Sequence, residues 1–98
     1  MLMFKGMKQK LESLLQDAVS TLQTQGVVDA SSEVRIHIER VRDPQNGDFA
    51  TNLAMLLAKP AKMNPRQLAE KIVSLLPTDN GISKVDIAGP GFINFFIN

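Results

Sequence analysis

The C-terminal run Val85-Asp86-Ile87-Ala88-Gly89-Pro90-Gly91-Phe92-Ile93-Asn94-Phe95-Phe96-Ile97 holds two strands and the turn between them. Side chains alternate along a strand. In the first arm Val85 and Ile87 therefore point one way, and Lys84 and Asp86 the other. Gly89-Pro90-Gly91 reverses the chain. In the second arm Ile93, Phe95 and Ile97 share one face, and Phe92, Asn94 and Phe96 share the opposite one. An antiparallel pair at the end of the chain, apolar on at least one face, needs helices to cover that face.

Upstream, Val34, Ile36 and Ile38 alternate with Arg35, His37 and Glu39, which predicts a half-buried strand with a bulge or its end at Arg40-Val41, where the alternation falters. Asp43-Pro44-Gln45-Asn46-Gly47 reads as a turn, because proline fixes φ and Asn-Gly supplies positive φ. A helix is predicted from about Asp48 to Ala58, with Phe49, Leu53, Leu56 and Leu57 buried, Asp48 or Thr51 as its cap, and Lys59-Pro60 as its stop. A short strand near Asp48-Phe49 would pair with the first strand through the turn. Asn64-Pro65-Arg66-Gln67 predicts a second helix start, with Asn64 as N-cap, Pro65 in the first position and Gln67 completing a capping box. Met63 and Leu68 would form a hydrophobic staple. Leu68, Ile72, Leu75 and Leu76 face inward, and Pro77 with Thr78-Asp79-Asn80-Gly81 ends the helix. At the other end, Phe4, Met7, Leu11, Leu14, Leu15, Ala18, Val19 and Leu22 mark one face of a long helix closed by Gly26. The order is helix, strand, turn, two helices, two strands. It predicts an α+β fold, a two-layer sandwich with helices on one face of a small, mainly antiparallel sheet.

The 98 residues fit one domain spanning 1–98, and the composition, 44% apolar and 21% charged, is that of a globular chain. No cysteine is present, which excludes disulfides and thiolate metal sites and suits a reducing, cytoplasmic setting. Neither a signal peptide nor a membrane span is legible. The chain stops almost inside its last strand, which leads to the expectation of a piece of something longer. The net charge of +1 is low for a protein that grips nucleic acid through phosphates alone.

No catalytic constellation is present. The single histidine, His37, reads as a solvated strand residue with no second imidazole or thiol to complete a metal site. Gly89-Pro90-Gly91 opens no helix and so offers no stack of free amides to phosphate. The unusual feature is aromatic: three of the five phenylalanines lie in Phe92-Ile93-Asn94-Phe95-Phe96. If helices cover the Ile93/Phe95 face, the Phe92/Asn94/Phe96 face presents rings around an amide. Rings stack on bases, and an amide offers donors and an acceptor to a base edge, so this face fits splayed RNA bases. The alternative is a docking face for protein, within a longer chain or between chains, using Phe92 and Phe96. Lys59, Lys62 and Arg66 near the helix junction, and Lys5, Lys8 and Lys10 at the start, are candidate phosphate contacts or solvated surface residues.

Gly47-Asp48-Phe49-Ala50-Thr51-Asn52, Asn64-Pro65-Arg66-Gln67-Leu68-Ala69 and Val85-Asp86-Ile87-Ala88-Gly89-Pro90-Gly91-Phe92-Ile93-Asn94 together resemble the N-terminal additional domain of arginyl-tRNA synthetases. The three segments occur in the family's order across most of the chain, and the first helix matches in pattern. The resemblance implies a parent ligase several times longer that joins arginine to its tRNA, using ATP and magnesium on a separate Rossmann-type domain. This chain holds none of that domain's signatures, so no cofactor is expected here and the chain alone should be inactive. The implied partners are the D-loop of arginine tRNA and the catalytic body, with no membrane, and the chain is expected to be monomeric. By motif position, the family's base-contacting aromatic and amide fall on Phe92 and Asn94. Some members carry a further polar contact just before the Gly-Pro; this chain has Ala88 there, so that contact is not carried over. Gly47, Asp48 and Phe49 are expected to serve structure, as turn, cap or pair, and core, with Asn52 bonding the turn backbone.

Overall fold

The computed structural model describes residues 3–28, 35–43, 45, 47–76 and 81–97, with side chains from residue 7 onward. Val34 of the expected first strand, Pro44 and Asn46 of the expected turn, and Pro77 to Asn80 lie outside the described residues, as do the side chains of Phe4 and Lys5.

Helix α1 (Met3–Thr24) buries Leu11, Leu15, Ala18, Val19 and Leu22. It closes behind Gly26, whose φ is +79°. The Gly26 N–H donates to the Gln23 carbonyl at 3.1 Å and the Val27 N–H to the Leu22 carbonyl at 2.9 Å, the paired bonds that finish a helix around a left-handed residue.

Four strands, β1 (Ile38–Arg40), β2 (Phe49–Thr51), β3 (Ile82–Ala88) and β4 (Phe92–Ile97), form one sheet in the order β1-β2-β4-β3. Every pairing is antiparallel. The most apolar strand, β4, lies between β2 and β3, where both of its edges are hydrogen-bonded. A register irregularity between Ile82 and Lys84 lets Ile82 turn inward with Val85 and Ile87 although the spacing is odd. Helices α2 (Leu53–Ala61) and α3 (Pro65–Ser74) pack with α1 over one face of the sheet. Ile38, Phe49, Ile93 and Phe95 from the sheet join Leu11, Leu15, Leu53, Leu57, Leu68 and Ile72 from the helices in one core. This is the expected α+β two-layer arrangement.

Four expectations are corrected. The short strand expected near Asp48-Phe49 is β2, paired with β1, but α2 starts at Leu53 instead of near Asp48. The reason is Thr51, whose buried hydroxyl donates to the His37 carbonyl at 2.8 Å and accepts from the Leu53 N–H at 3.2 Å. It holds β2 to the segment leading into β1 and opens the helix only after itself. Nor does Pro60 stop α2, which runs to Ala61. A proline in the last turn forfeits one donor only. The stop is Lys62 in the left-handed conformation, φ 55°, with the Met63 N–H returning to the Ala58 carbonyl at 3.0 Å. Leu56, expected inside, is half exposed. Helix α3 starts as read: Asn64 accepts from the Arg66 N–H at 2.9 Å, and Pro65 occupies the first turn. Among the described residues Gln67 returns no bond to Asn64, so the cap is one-sided.

Candidate nucleic-acid interface

The sheet face away from the helices carries the candidate residues. The register pairs Glu39 with Ala50, Ala50 with Asn94, and Asn94 with Asp86, which makes one row across all four strands. Ile38 pairs with Thr51, Thr51 with Ile93, and Phe92 with Ala88. Continuing that register by one residue sets His37, Asn52, Phe92 and Ala88 side by side as the next row. Phe96 pairs with Lys84 in the row beyond.

Phe92 is 42% exposed, unusual for a large apolar side chain in a strand flanked by fully buried Ile93. Asn94 is 9% exposed, walled by its neighbours, and makes no side-chain hydrogen bond among the described residues. Phe96 is half-buried, and the Lys84 ammonium stands 4.5 Å from its ring centroid. Lys84 also pairs with Asp86 at 3.3 Å. The three residues therefore differ: Phe92 offers a free ring, Asn94 an unengaged amide, and Phe96 a ring already facing a cation.

The turn before Phe92 is fixed from α3. The Arg66 guanidinium donates to the Gly89 carbonyl at 2.6 Å. A Cβ on Gly91 would lie 3.0 Å from Pro65 Cβ, so only glycine allows the turn to rest on the start of α3. Arg66 thus contacts the turn, while Lys59 and Lys62 stand exposed at the end of α2 and form no ion pair among the described residues. On the other side of β4, the Asp48 N–H donates to the Phe95 carbonyl at 2.7 Å and its carboxylate accepts from the Ile97 N–H at 2.8 Å. Asp48 pairs with a strand instead of capping a helix, and Phe49 is in the core.

Sequence reasoning passed over the strand residues beside Phe92. His37, Glu39, Ala50, Thr51, Asn52 and Phe92 line a depression of about 60 Å³. His37 and Glu39 meet at 3.3 Å and are both well exposed. Asn52 does not bond the turn backbone. It is the N-cap residue of α2, yet its side chain makes no capping bond, and its carbonyl oxygen is covered and unpartnered among the described residues. An unmet buried acceptor costs about 1–3 kcal/mol. The only signal for this group was the alternation itself, which puts residues 37, 39, 50, 52 and 92 on one face. Among the described residues, no group of acidic, histidine or cysteine side chains could hold a metal ion, and no helix is long and apolar enough to cross a membrane.

Residues 7–97 match the family described as the arginyl tRNA synthetase N terminal domain. Arginine–tRNA ligase of Idiomarina loihiensis is 58% identical over 92 residues, covering 94% of this chain and 16% of the relative. The arginine–tRNA ligase of Alcanivorax borkumensis is 56% identical over 90 residues, covering 92% of this chain and 15% of the relative. The chain thus spans about a sixth of the length of the curated relatives it matches. Among solved structures, arginyl-tRNA synthetase of Plasmodium falciparum aligns with a TM-score of 0.72 at 16% identity, over 92% of this chain and 16% of that one. The Thermus thermophilus arginyl-tRNA synthetase aligns with a TM-score of 0.70 at 22% identity, over 94% of this chain and 14% of that one. These structural likenesses concern the fold.

Proposed function

The chain belongs to the arginyl-tRNA synthetase N-terminal domain family, and from that membership we propose that it is a tRNA-contacting module of a longer, cytoplasmic arginine–tRNA ligase. The parent enzyme would attach arginine to its tRNA in translation, with ATP and magnesium bound elsewhere. The module itself contributes recognition. Phe92 stacks on an unpaired D-loop base and Asn94 meets the edge of that base, with Phe96 extending the apolar surface. Lys59 and Lys62 are the candidate phosphate contacts, and Arg66 acts chiefly on the turn that carries Phe92.

The observation that carries this reading is the 42% exposed Phe92 ring beside the unengaged Asn94 amide on the uncovered sheet face. A half-exposed ring beside an unengaged amide adds little to a domain's own stability, whereas splayed RNA bases are matched by a ring for stacking and an amide for the base edge. The test is an NMR titration of the labelled chain with arginine tRNA, repeated with single D-loop base substitutions. Shifts centred on Phe92, Asn94 and their strand neighbours, lost with one substituted tRNA, are the expected result. If the chain instead self-associates through Phe92 and shows no RNA-dependent shift, the face is a protein-docking surface and the reading fails.

A further inference from the structure

We propose that the depression at Ala50 is a second wall of the base site: it receives the edge of the nucleobase that lies on Phe92, and Asn52 with the His37–Glu39 pair meets that edge. The inference rests on the RNA-contacting reading above and adds residues from β2 and from the approach to β1 to a site otherwise drawn from β4 alone.

Position comes first. Continued by one residue, the register sets Asn52 and His37 in line with Phe92, and Ala50 sits between Glu39 and Asn94 in the next row. One methyl group among longer side chains leaves a hollow, and Phe92 forms part of its lining. A base resting on that ring has the hollow at its side.

Size comes second. About 60 Å³ holds a few water molecules. Small-molecule and cofactor sites enclose roughly 300–1,000 Å³. The hollow therefore suits one edge of a planar ring whose face is held elsewhere, and excludes a whole nucleotide or cofactor.

Chemistry comes third. An asparagine at a helix N-cap ordinarily caps. Here Thr51 supplies the bond to the Leu53 N–H, and the Asn52 amide is left without a partner. The covered carbonyl oxygen cannot be reached from the hollow, so the group that Asn52 offers a ligand there is its unbonded amide nitrogen, a donor. Glu39 only accepts while ionised, His37 presents ring nitrogens, and the Asn52 amide nitrogen donates, so the lining can match a base edge that mixes donors and acceptors.

The test measures affinity of the chain for arginine tRNA transcripts in which each unpaired D-loop nucleotide is replaced, one at a time, by an abasic residue. Wild type is compared with Phe92→Ala, Asn52→Ala, His37→Ala and Ala50→Val. The last fills the hollow with a residue that strands accept readily. The expected result is about a three- to tenfold loss for Asn52→Ala and for Ala50→Val, as for one lost hydrogen bond. That loss vanishes on the same abasic transcript that abolishes the effect of Phe92→Ala, which is the non-additivity of groups acting on one base. If Phe92→Ala keeps its coupling to one nucleotide while Asn52→Ala, His37→Ala and Ala50→Val bind every transcript as wild type does, the second wall is wrong and the RNA reading stands. If Phe92→Ala also leaves binding unchanged, both fall. Because His37 is exposed and Ala50→Val adds to a surface, a failure of Asn52→Ala to fold would leave two variants to decide the matter.

Discussion

Phe92 and Phe95 lie three residues apart in one strand and should answer mutation in opposite ways. Phe95 is wholly buried between the sheet and the helices, and its truncation to alanine is expected to cost about 3–5 kcal/mol of stability. Phe92→Ala is expected to cost less, about 1 kcal/mol, since the ring is already 42% exposed. It should instead weaken tRNA binding by about 1–3 kcal/mol, the worth of one stacked base. Urea denaturation of the two variants, read against their tRNA affinities, checks the contrast; a loss for Phe92→Ala as large as that for Phe95→Ala would make the ring a structural residue. Gly47 is the third position where chemistry is set by one atom. Its φ is +101° and an added Cβ would stand 2.8 Å from the Phe95 carbonyl oxygen. Gly47→Ala is therefore expected to lower stability by about 1–3 kcal/mol by pushing the Asp48 clamp off β4, measured as a fall in the urea midpoint.

At the scale of elements, two caps of α-helices differ in what they hold. Asn64 satisfies one N–H at an exposed helix start, so Asn64→Ala should cost about 1 kcal/mol. Thr51 is buried and satisfies both the Leu53 N–H and the His37 carbonyl, so Thr51→Val should cost about 2 kcal/mol or more, by leaving both groups unmet. Thermal unfolding of the two variants should rank them in that order, and equal losses would mean that solvent replaces the Thr51 hydroxyl. This pair also marks what the sequence makes legible. Asn64-Pro65 was readable because its signal is local: a capping side chain followed by the one residue suited to the first turn. The β4 alternation was readable because period two assigns faces without knowing the partners, and it placed Phe92, Asn94 and Phe96 together on the uncovered face. The extent of α2 was not readable, because the bond that delays its start runs from Thr51 to His37, across fourteen positions. The hollow at Ala50 was hidden for the same reason, since its lining comes from segments brought together only by the sheet register. The hold of Arg66 on the turn was not readable either, because its bond to the Gly89 carbonyl spans 23 positions.

At the scale of the whole molecule, charge decides how the recognition must work. The net charge is +1 with eleven basic and ten acidic residues, so long-range attraction to RNA is weak. Two of the basic groups beside the candidate face are already engaged, Lys84 with Asp86 and the Phe96 ring, and Arg66 with the Gly89 carbonyl. Lys59 and Lys62, exposed at the end of α2 and without an ion pair among the described residues, then offer about one or two phosphate contacts. Counterion release then predicts a shallow salt dependence, with a slope of log affinity on log salt of about −1 to −2. The affinity of the chain for arginine tRNA is expected to fall by about four- to sixteenfold between roughly 50 and 200 mM salt, where a protein holding six to ten phosphates loses about a thousandfold or more. Fluorescence titrations across that range measure the slope directly. Lys59→Ala and Lys62→Ala should each flatten it by about one unit at most, whereas Phe92→Ala should lower affinity at every salt concentration and leave the slope unchanged. A steep slope that persists in the Phe92 variant would show that phosphate contacts, and not the aromatic face, carry the binding. A shallow slope that Phe92→Ala does not alter, together with a uniform loss of affinity, is the signature of a domain that reads a base by stacking and edge contacts and leaves the electrostatic grip to the rest of the ligase.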